Sequence, residues 1–246
     1  MKHTAQSVFD QGYKNIEYII IDGGSSDASP ALIESYSPKL AYSISEKDDG
    51  VYNAMNKGIN KAGGDYLLFL NSGDTFFSDN AVELLAAAAD DEDFIYGDLV
   101  IRDEKNETVK HYADKLSFSY FITESLPHPA TLIKASVFSK FGLFDEKLKI
   151  ASDWELFTNA IGRNNSSYKH IDHPISIFSM GGVSTDFKNL QLRWQEREWV
   201  LKNKFGYHRP NLLNPKEMRK YLFMMLNVRF PKLVNKLRTW KSLRKK

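Results

Sequence analysis

The stretch Lys61-Ala62-Gly63-Gly64-Asp65-Tyr66-Leu67-Leu68-Phe69-Leu70-Asn71-Ser72-Gly73-Asp74-Thr75 limits the possible folds more than any other part of the chain. A glycine turn leads into an apolar run, Tyr66 to Leu70, and then into a small polar loop that ends in a carboxylate. A run of that kind is what a strand covered on both faces carries, and such strands belong to parallel sheets with helices on either side. Ligands of open α/β sheets bind beyond the carboxyl ends of strands, which is where Asp74 is expected. Gly73 leaves room for an anion or a metal to approach the backbone. Taken alone, Asn71 to Asp74 reads more simply as an ordinary turn, because Asn, Ser, Gly and Asp are turn formers.

The flanking segments repeat the pattern. Ile16 to Ile21 reads as a strongly apolar strand running into Asp22-Gly23-Gly24-Ser25-Ser26-Asp27, and Ser29-Pro30 opens a helix with Ser29 as its cap. Leu40 to Ser45 reads as the next strand, Glu46 to Gly50 as an acidic loop, and Val51 to Ala62 as an amphipathic helix. Further on, Phe94 to Asp98 is a strand and Leu99 to Ala113 an exposed hairpin. Leu126 to Ile133 is a loop entering a strand, Val137 to Phe141 a short helix, and Asp153 to Ile161 a longer one. Ile171 to Phe178 is a late strand, and Asn189 to Asn203 a helix. The expected fold is therefore α/β: a Rossmann-type, mostly parallel sheet flanked by helices over residues 1–205, with a helical extension over 206–246.

Charge is unevenly spread. The net charge is +2, but Pro215 to Lys246 carries eleven Lys and Arg against Glu217 alone, a net of +10 that leaves the body at −8. An acidic body argues against nucleic acid as the main ligand. The tail places Leu233, Val234, Leu237 and Trp240 on one stripe among basic residues, which suits an anionic membrane surface or a helix packed on the body. The chain has no cysteine, no apolar run of the ~20 residues that a membrane span needs, and no apolar leader at Met1. The expected location is cytoplasmic, with the tail peripheral on the inner face of the membrane.

Three carboxylate-bearing loops thus follow strands before residue 75: Asp22 to Asp27, Glu46 to Asp49, and Asp74. In a parallel sheet they share one edge. Gathered acids repel one another unless a cation or a polar ligand sits among them. That suits a nucleotide held through its base and ribose, with its diphosphate reached through Mg²⁺ or Mn²⁺, hard ions that prefer oxygen. No Gly-x-Gly-x-x-Gly and no Walker loop occurs, which disfavours dinucleotide oxidoreductases and P-loop kinases.

Asp22-Gly23-Gly24-Ser25-Ser26-Asp27, Asp49-Gly50-Val51-Tyr52-Asn53-Ala54-Met55-Asn56-Lys57-Gly58 and Phe69-Leu70-Asn71-Ser72-Gly73-Asp74 together resemble the motifs of family 2 glycosyltransferases of the GT-A fold. Gly142-Leu143-Phe144-Asp145-Glu146, followed by Ala151-Ser152-Asp153-Trp154-Glu155-Leu156, resembles that family's acceptor-side motif. The resemblance covers about residues 1–185. It implies inverting transfer of a sugar from a UDP- or GDP-sugar to an acceptor hydroxyl, in surface polysaccharide or lipid-linked glycan assembly. By the same resemblance Asp22, Gly23, Ser25, Asp27, Asp49, Asn56, Lys57, Asn71, Ser72 and Gly73 should hold the donor, and Asp74 the metal. Asp153 should be the general base, with Trp154 and Glu155 on the acceptor side. His128, between Pro127 and Pro129, is placed to face the site on that side as well. Chemistry supports the assignment, since inversion needs one base opposite the leaving group and the departing diphosphate needs its charge stabilised. Ser152-Asp153 would also make a good helix cap.

The sequence departs from the family pattern in three places. Asp74 is the only carboxylate of a loop that often carries two or three. Gln191-Leu192-Arg193-Trp194 is one residue short of the Gln-x-x-Arg-Trp signature of processive synthases. Family members begin with an apolar strand ahead of the helix that Met1 to Asp10 finishes, so the expectation is a longer protein or a compromised fragment. Two other functions remain open at this point: a non-catalytic nucleotide- or glycan-binding fragment, and a sugar nucleotidyltransferase, for which the Gly-rich basic phosphate loop is not found.

Overall fold

Apolar periodicity becomes helix and strand where the sequence places it, in the order given by a computed structural model that describes residues 1–103, 106–179, 187–206 and 226. The elements are α1 (Lys2–Phe9), β1 (Ile19–Asp22), α2 (Ser29–Tyr36), β2 (Tyr42–Ser45), α3 (Val51–Ile59), β3 (Tyr66–Leu67) and β4 (Thr75–Phe76). There follow α4 (Ala81–Ala88), β5 (Phe94–Arg102), β6 (Glu107–Lys110), α5 (Phe118–Thr123), β7 (Thr131–Lys134), α6 (Ala135–Phe141), α7 (Ser152–Phe157), β8 (Tyr168–Ser179) and α8 (Phe187–Asn203). The expected helical extension, Gly206 and Leu226 apart, lies outside the described residues.

Local chemistry sets several starts. The carboxylate of Asp27, rather than the Ser29 hydroxyl, accepts the Ser29 N–H at 2.8 Å and opens α2, with Pro30 in its first turn. α3 starts after Gly50, whose φ of +126° is open to glycine and strained for other residues. It buries Tyr52, Met55 and Asn56 on one face. The helix expected from Asp153 to Ile161 begins one residue earlier and continues beyond Phe157 as a π-helical turn, Thr158–Arg163.

The α/β class stands, but the strand directions differ from a mostly parallel sheet. β1 and β2 form a two-stranded parallel sheet, with Asp22 opposite Ser45. The larger sheet is six-stranded and mixed, in the order β3-β7-β5-β8-β4 with β6 on β5. Of its ladders only β5–β8 is parallel. The apolar run that led to the expectation reports burial on both faces, and burial is indifferent to strand direction. That burial is present: Phe69 packs into one core cluster, and Leu68 and Leu70 into the other. The ladder itself covers only Tyr66 and Leu67, which pair with Lys134 and Ile133 of β7.

The two clusters lie on opposite faces of β5, Phe94 and Tyr96 entering one, Ile95 and Leu99 the other. A third, Leu148, Ala151 and Trp154 against Val200 and Leu201, fixes α8 to α7. The long β5–β8 ladder carries Ser179 to its end, opposite Arg102. Gly97 allows that approach, since a Cβ there would fall 2.5 Å from Ile175 Cγ1 and 2.7 Å from the His173 carbonyl oxygen. Gly97→Ala should cost ~1–3 kcal/mol through overpacking. Urea unfolding reads this directly, and an unchanged midpoint would show that the two strands do not press together here.

Candidate active site

Asp22 ends β1 with its carboxylate engaged on both oxygens. Ser25 Oγ donates to Oδ1 at 2.6 Å, while Ser45 Oγ (2.6 Å) and the Ser25 N–H (3.0 Å) donate to Oδ2. Burial pushes this carboxyl up, but the two hydroxyls outweigh it and hold it below the ordinary range. Gly23 lies against the Asp48 carboxylate, and Gly24, at φ +82°, against the backbone of Lys47. The first two carboxylate loops therefore meet, as a parallel β1–β2 pair requires. Asp27 is spent on the α2 start and Lys57 on Glu46 at 2.7 Å, while the Asp49 carbonyl accepts Lys149 Nζ at 3.1 Å.

Asp74 closes the turn after β3, its N–H donating to the Asn71 carbonyl at 3.0 Å. Ser72 is exposed on that turn. Gly73 takes a φ of +104°, donates its N–H to Thr4 Oγ1 (3.0 Å) and accepts from Ser179 Oγ (2.8 Å). The Asp74 side chain is buried, the residue being 4% exposed, and accepts the Ser179 N–H at 3.2 Å. Burial pushes its carboxyl up to about 6, against smaller opposing pulls from that N–H and from His128. A buried carboxylate with so little compensation has the character of a cation ligand; its hard oxygen suits Mg²⁺ or Mn²⁺. Among the described residues no group of three His or carboxylate side chains gathers around it, so a cation here would need oxygens from elsewhere. The group that does gather, Asp98, His111 and Asp172, is a different one.

His128 links this turn to Asp153. Its Nε2 faces Asn71 Nδ2 at 3.0 Å, and its Nδ1 faces Asp153 Oδ2 at 3.1 Å. An amide nitrogen can only donate, so Nε2 accepts and the imidazole proton sits on Nδ1, donating to Asp153. Tyr52, from α3, donates its hydroxyl to Asp153 Oδ1 at 2.9 Å. Burial pushes the Asp153 carboxyl up, yet the hydrogen bond from His128, helped by that from Tyr52, holds it below the ordinary range. The His128 and Asp153 side chains each keep 16% of their surface exposed. The result is an oriented, ionised carboxylate with an opening to solvent, which can accept a proton from a hydroxyl.

Several expected ligand residues face inward instead. Trp154 is 1% exposed and donates Nε1 to the Phe121 carbonyl at 2.6 Å, so its indole is core, with no surface left for an acceptor. Asn56 is buried too. Its Nδ2 donates to the Phe144 carbonyl (2.9 Å) and Glu146 Oε1 (2.7 Å), and its Oδ1 accepts the Phe144 N–H (3.0 Å). It ties α3 to the turn before α7. Glu155 Oε1 pairs with Lys204 at 2.5 Å, its Oε2 is buried without a hydrogen-bond partner, and burial raises its carboxyl. Sequence reasoning did not assign Tyr52, Ser45 or Ser179. Tyr52 was within reach of it, lying four residues before Asn56 on the same helix face.

The profile of glycosyl transferase family 2 matches residues 1–147, more than half of the chain. This chain belongs to that family. Its relatives include an uncharacterized glycosyltransferase of Rickettsia typhi, 30% identical over 191 residues, covering 73% of this chain and 59% of the relative. A PGL/p-HBAD biosynthesis glycosyltransferase of Mycobacterium bovis is 26% identical over 156 residues, 61% of this chain and 59% of that protein. The family 2 chain thus spans about three-fifths of the length of these curated relatives. Its fold is that of S. aureus TarS 1-349, solved with UDP-GlcNAc (TM-score 0.61, 15% identity, 92% of this chain and 76% of that one). It also matches the mannosyltransferase PcManGT of Pyrobaculum calidifontis, solved with GDP-Man and Mn2+ (TM-score 0.58, 13% identity, 93% and 66%).

Removing the Tyr52 hydroxyl takes one of the Asp153 carboxylate's hydrogen bonds away. In Tyr52→Phe the Asp153 titration, followed by carboxyl ¹³C NMR, should move upward, and further upward when His128 is also replaced by Ala. A titration unmoved in both variants would mean that these bonds do not form.

Proposed function

We propose that this chain is a metal-dependent, inverting glycosyltransferase that moves a sugar from a nucleotide-diphosphate donor to an acceptor hydroxyl. The observation that carries the reading is the continuous run Asn71–His128–Asp153–Tyr52, which ties the Asp74 turn to an ionised, accessible carboxylate. In this reading Asp22, with Ser25 and the 46–50 loop beside it, holds the nucleobase end of the donor. Asp74 would hold Mg²⁺ or Mn²⁺ on the diphosphate. When bound, the ion neutralises charge on the departing diphosphate. Asp153 takes the proton of the attacking hydroxyl, and His128 and Tyr52 keep it ionised and aimed. A UDP- or GDP-sugar as donor is supported by the ligands of the two solved neighbours. A glycan or lipid-linked glycan acceptor is in line with the M. bovis relative, a PGL/p-HBAD biosynthesis glycosyltransferase. Contact with an anionic membrane surface rests on the basic tail sequence alone; among the described residues no helix is long and apolar enough to cross a membrane.

The test is release of nucleoside diphosphate from UDP-GlcNAc and GDP-mannose, with and without Mn²⁺, together with the anomeric configuration of the product. The account expects release that needs Mn²⁺, inversion at the sugar carbon, and a loss of about 10²-fold or more in Asp74→Ala, as for removal of a group that stabilises the leaving charge. Metal-independent release unaffected by Asp74→Ala would remove that residue's role, and a retained anomer would remove inversion.

The raised Asp74 carboxyl also sets a pH dependence. Protons compete with the cation, so Mn²⁺ affinity by calorimetry should weaken about tenfold per unit below pH ~6. Without metal, stability from this group is full below the ordinary carboxylate value of ~3.9 and is lost as pH rises through about 6, the folded value. Added Mn²⁺ should then restore melting temperature at pH 7 but not at pH 4. Affinity flat from pH 5 to 8 would contradict a carboxylate ligand with this titration.

A further inference from the structure

α8 lies beyond the residues matched by the family profile, yet it reaches back to the turn that introduces Asp153. Glu196, 8% exposed, accepts three consecutive backbone N–H groups with one carboxylate: Lys149 on Oε1 at 2.6 Å, Ile150 on Oε2 at 2.9 Å and Ala151 on Oε2 at 3.1 Å. These amides precede α7, in which Asp153 is the second residue, and the Ala151 carbonyl begins the helix by accepting the Glu155 N–H at 2.9 Å. Buried amides ahead of a helix need acceptors, and bonds to an ionised acceptor are the strong ones. From the same helix the Arg197 guanidinium lies over the Trp154 ring, 4.8 Å from its centroid.

We propose that Glu196 is the positioning residue for Asp153. Its carboxylate fixes the 149–151 turn, and the turn fixes the rotation of α7 that presents Asp153 to Tyr52 and His128. Glu196 has no hydrogen bond to Asp153, so it acts through the backbone. Gln is a poor substitute, because its NH₂ would face amide N–H groups where the second oxygen now accepts. This inference rests on reading Asp153 as the base.

Two measurements on Glu196→Gln and Glu196→Asp separate the inference from that reading. Amide hydrogen exchange at residues 149–151 reports the clamp with no reference to activity and should speed up at least tenfold in Glu196→Gln. Nucleoside diphosphate release from UDP-GlcNAc or GDP-mannose should fall about 10²-fold in kcat, the scale of a 1 Å misplacement. Donor Kd should stay within about twofold, as expected when remote binding contacts are kept. Glu196→Asp, which keeps the charge on a shorter stem, should fall between the wild type and Gln in kcat. If Glu196→Gln does not fold, Glu196→Asp is compared with wild type by the same two readouts. Unchanged exchange at 149–151, unchanged kcat, or kcat and donor Kd lost in parallel would overturn the proposal. A wild-type chain that releases no nucleotide would instead sink the base assignment, while the exchange rates still decide whether Glu196 holds the turn.

Discussion

The Asp153 carboxylate is where segments that are distant in sequence are brought into one hydrogen-bonded unit. Tyr52 arrives from α3, His128 from the short turn before β7, and Asn71, behind His128, from the loop after β3. Tyr52 and His128 each supply a donor to a largely buried negative charge, and without them burial alone would favour the protonated, chemically idle acid. The arrangement therefore does two things at once. It holds the carboxylate ionised, and it fixes the relative position of the loop after β3, α3 and α7.

Asp74 shows the opposite balance. It is buried at the end of the same apolar run, with one backbone N–H and, among the described residues, no cationic side chain in an ion pair with it, and its carboxyl rises where that of Asp153 falls. Carboxylates pushed apart in this way take different roles. The one that its hydrogen-bond donors keep charged can accept a proton, and the one that lacks such donors is suited to hold a cation. Ser179 explains how the Asp74 turn is kept in place, since it reaches the turn from the end of the long β5–β8 ladder and so couples loop geometry to the core.

Much of this was legible in the sequence, and the reasons for the rest are specific. Asp22 and Asp74 stood out because each follows an apolar strand and sits among polar turn residues, a pattern that local physics makes readable, whereas Asp153 stood out through the resemblance of its segment to a family motif, local physics there reading equally as a helix cap. Strand direction was not legible: Tyr66 to Leu70 reports that both faces are covered, and an antiparallel neighbour, β7, covers an edge as well as a parallel one. Trp154 and Asn56 were expected at the ligand because they lie within the motifs. A motif does not say which way a side chain points, and the helical period turns both into the core. Glu196 could not be found from spacing, since its partners lie 45 to 47 residues away and are backbone amides of no particular sequence.

The central claim is that Asp153 does chemistry and that its surroundings exist to keep it charged and aimed. Replacing it with Asn preserves its shape and removes only the charge and basicity. The direct measurement is donor affinity beside turnover in Asp153→Asn, using UDP-GlcNAc and GDP-mannose with Mn²⁺. The account predicts a donor Kd within about twofold of wild type and a kcat lower by ~10²–10⁴, the range for loss of a general base. Turnover at the wild-type rate in Asp153→Asn would contradict it.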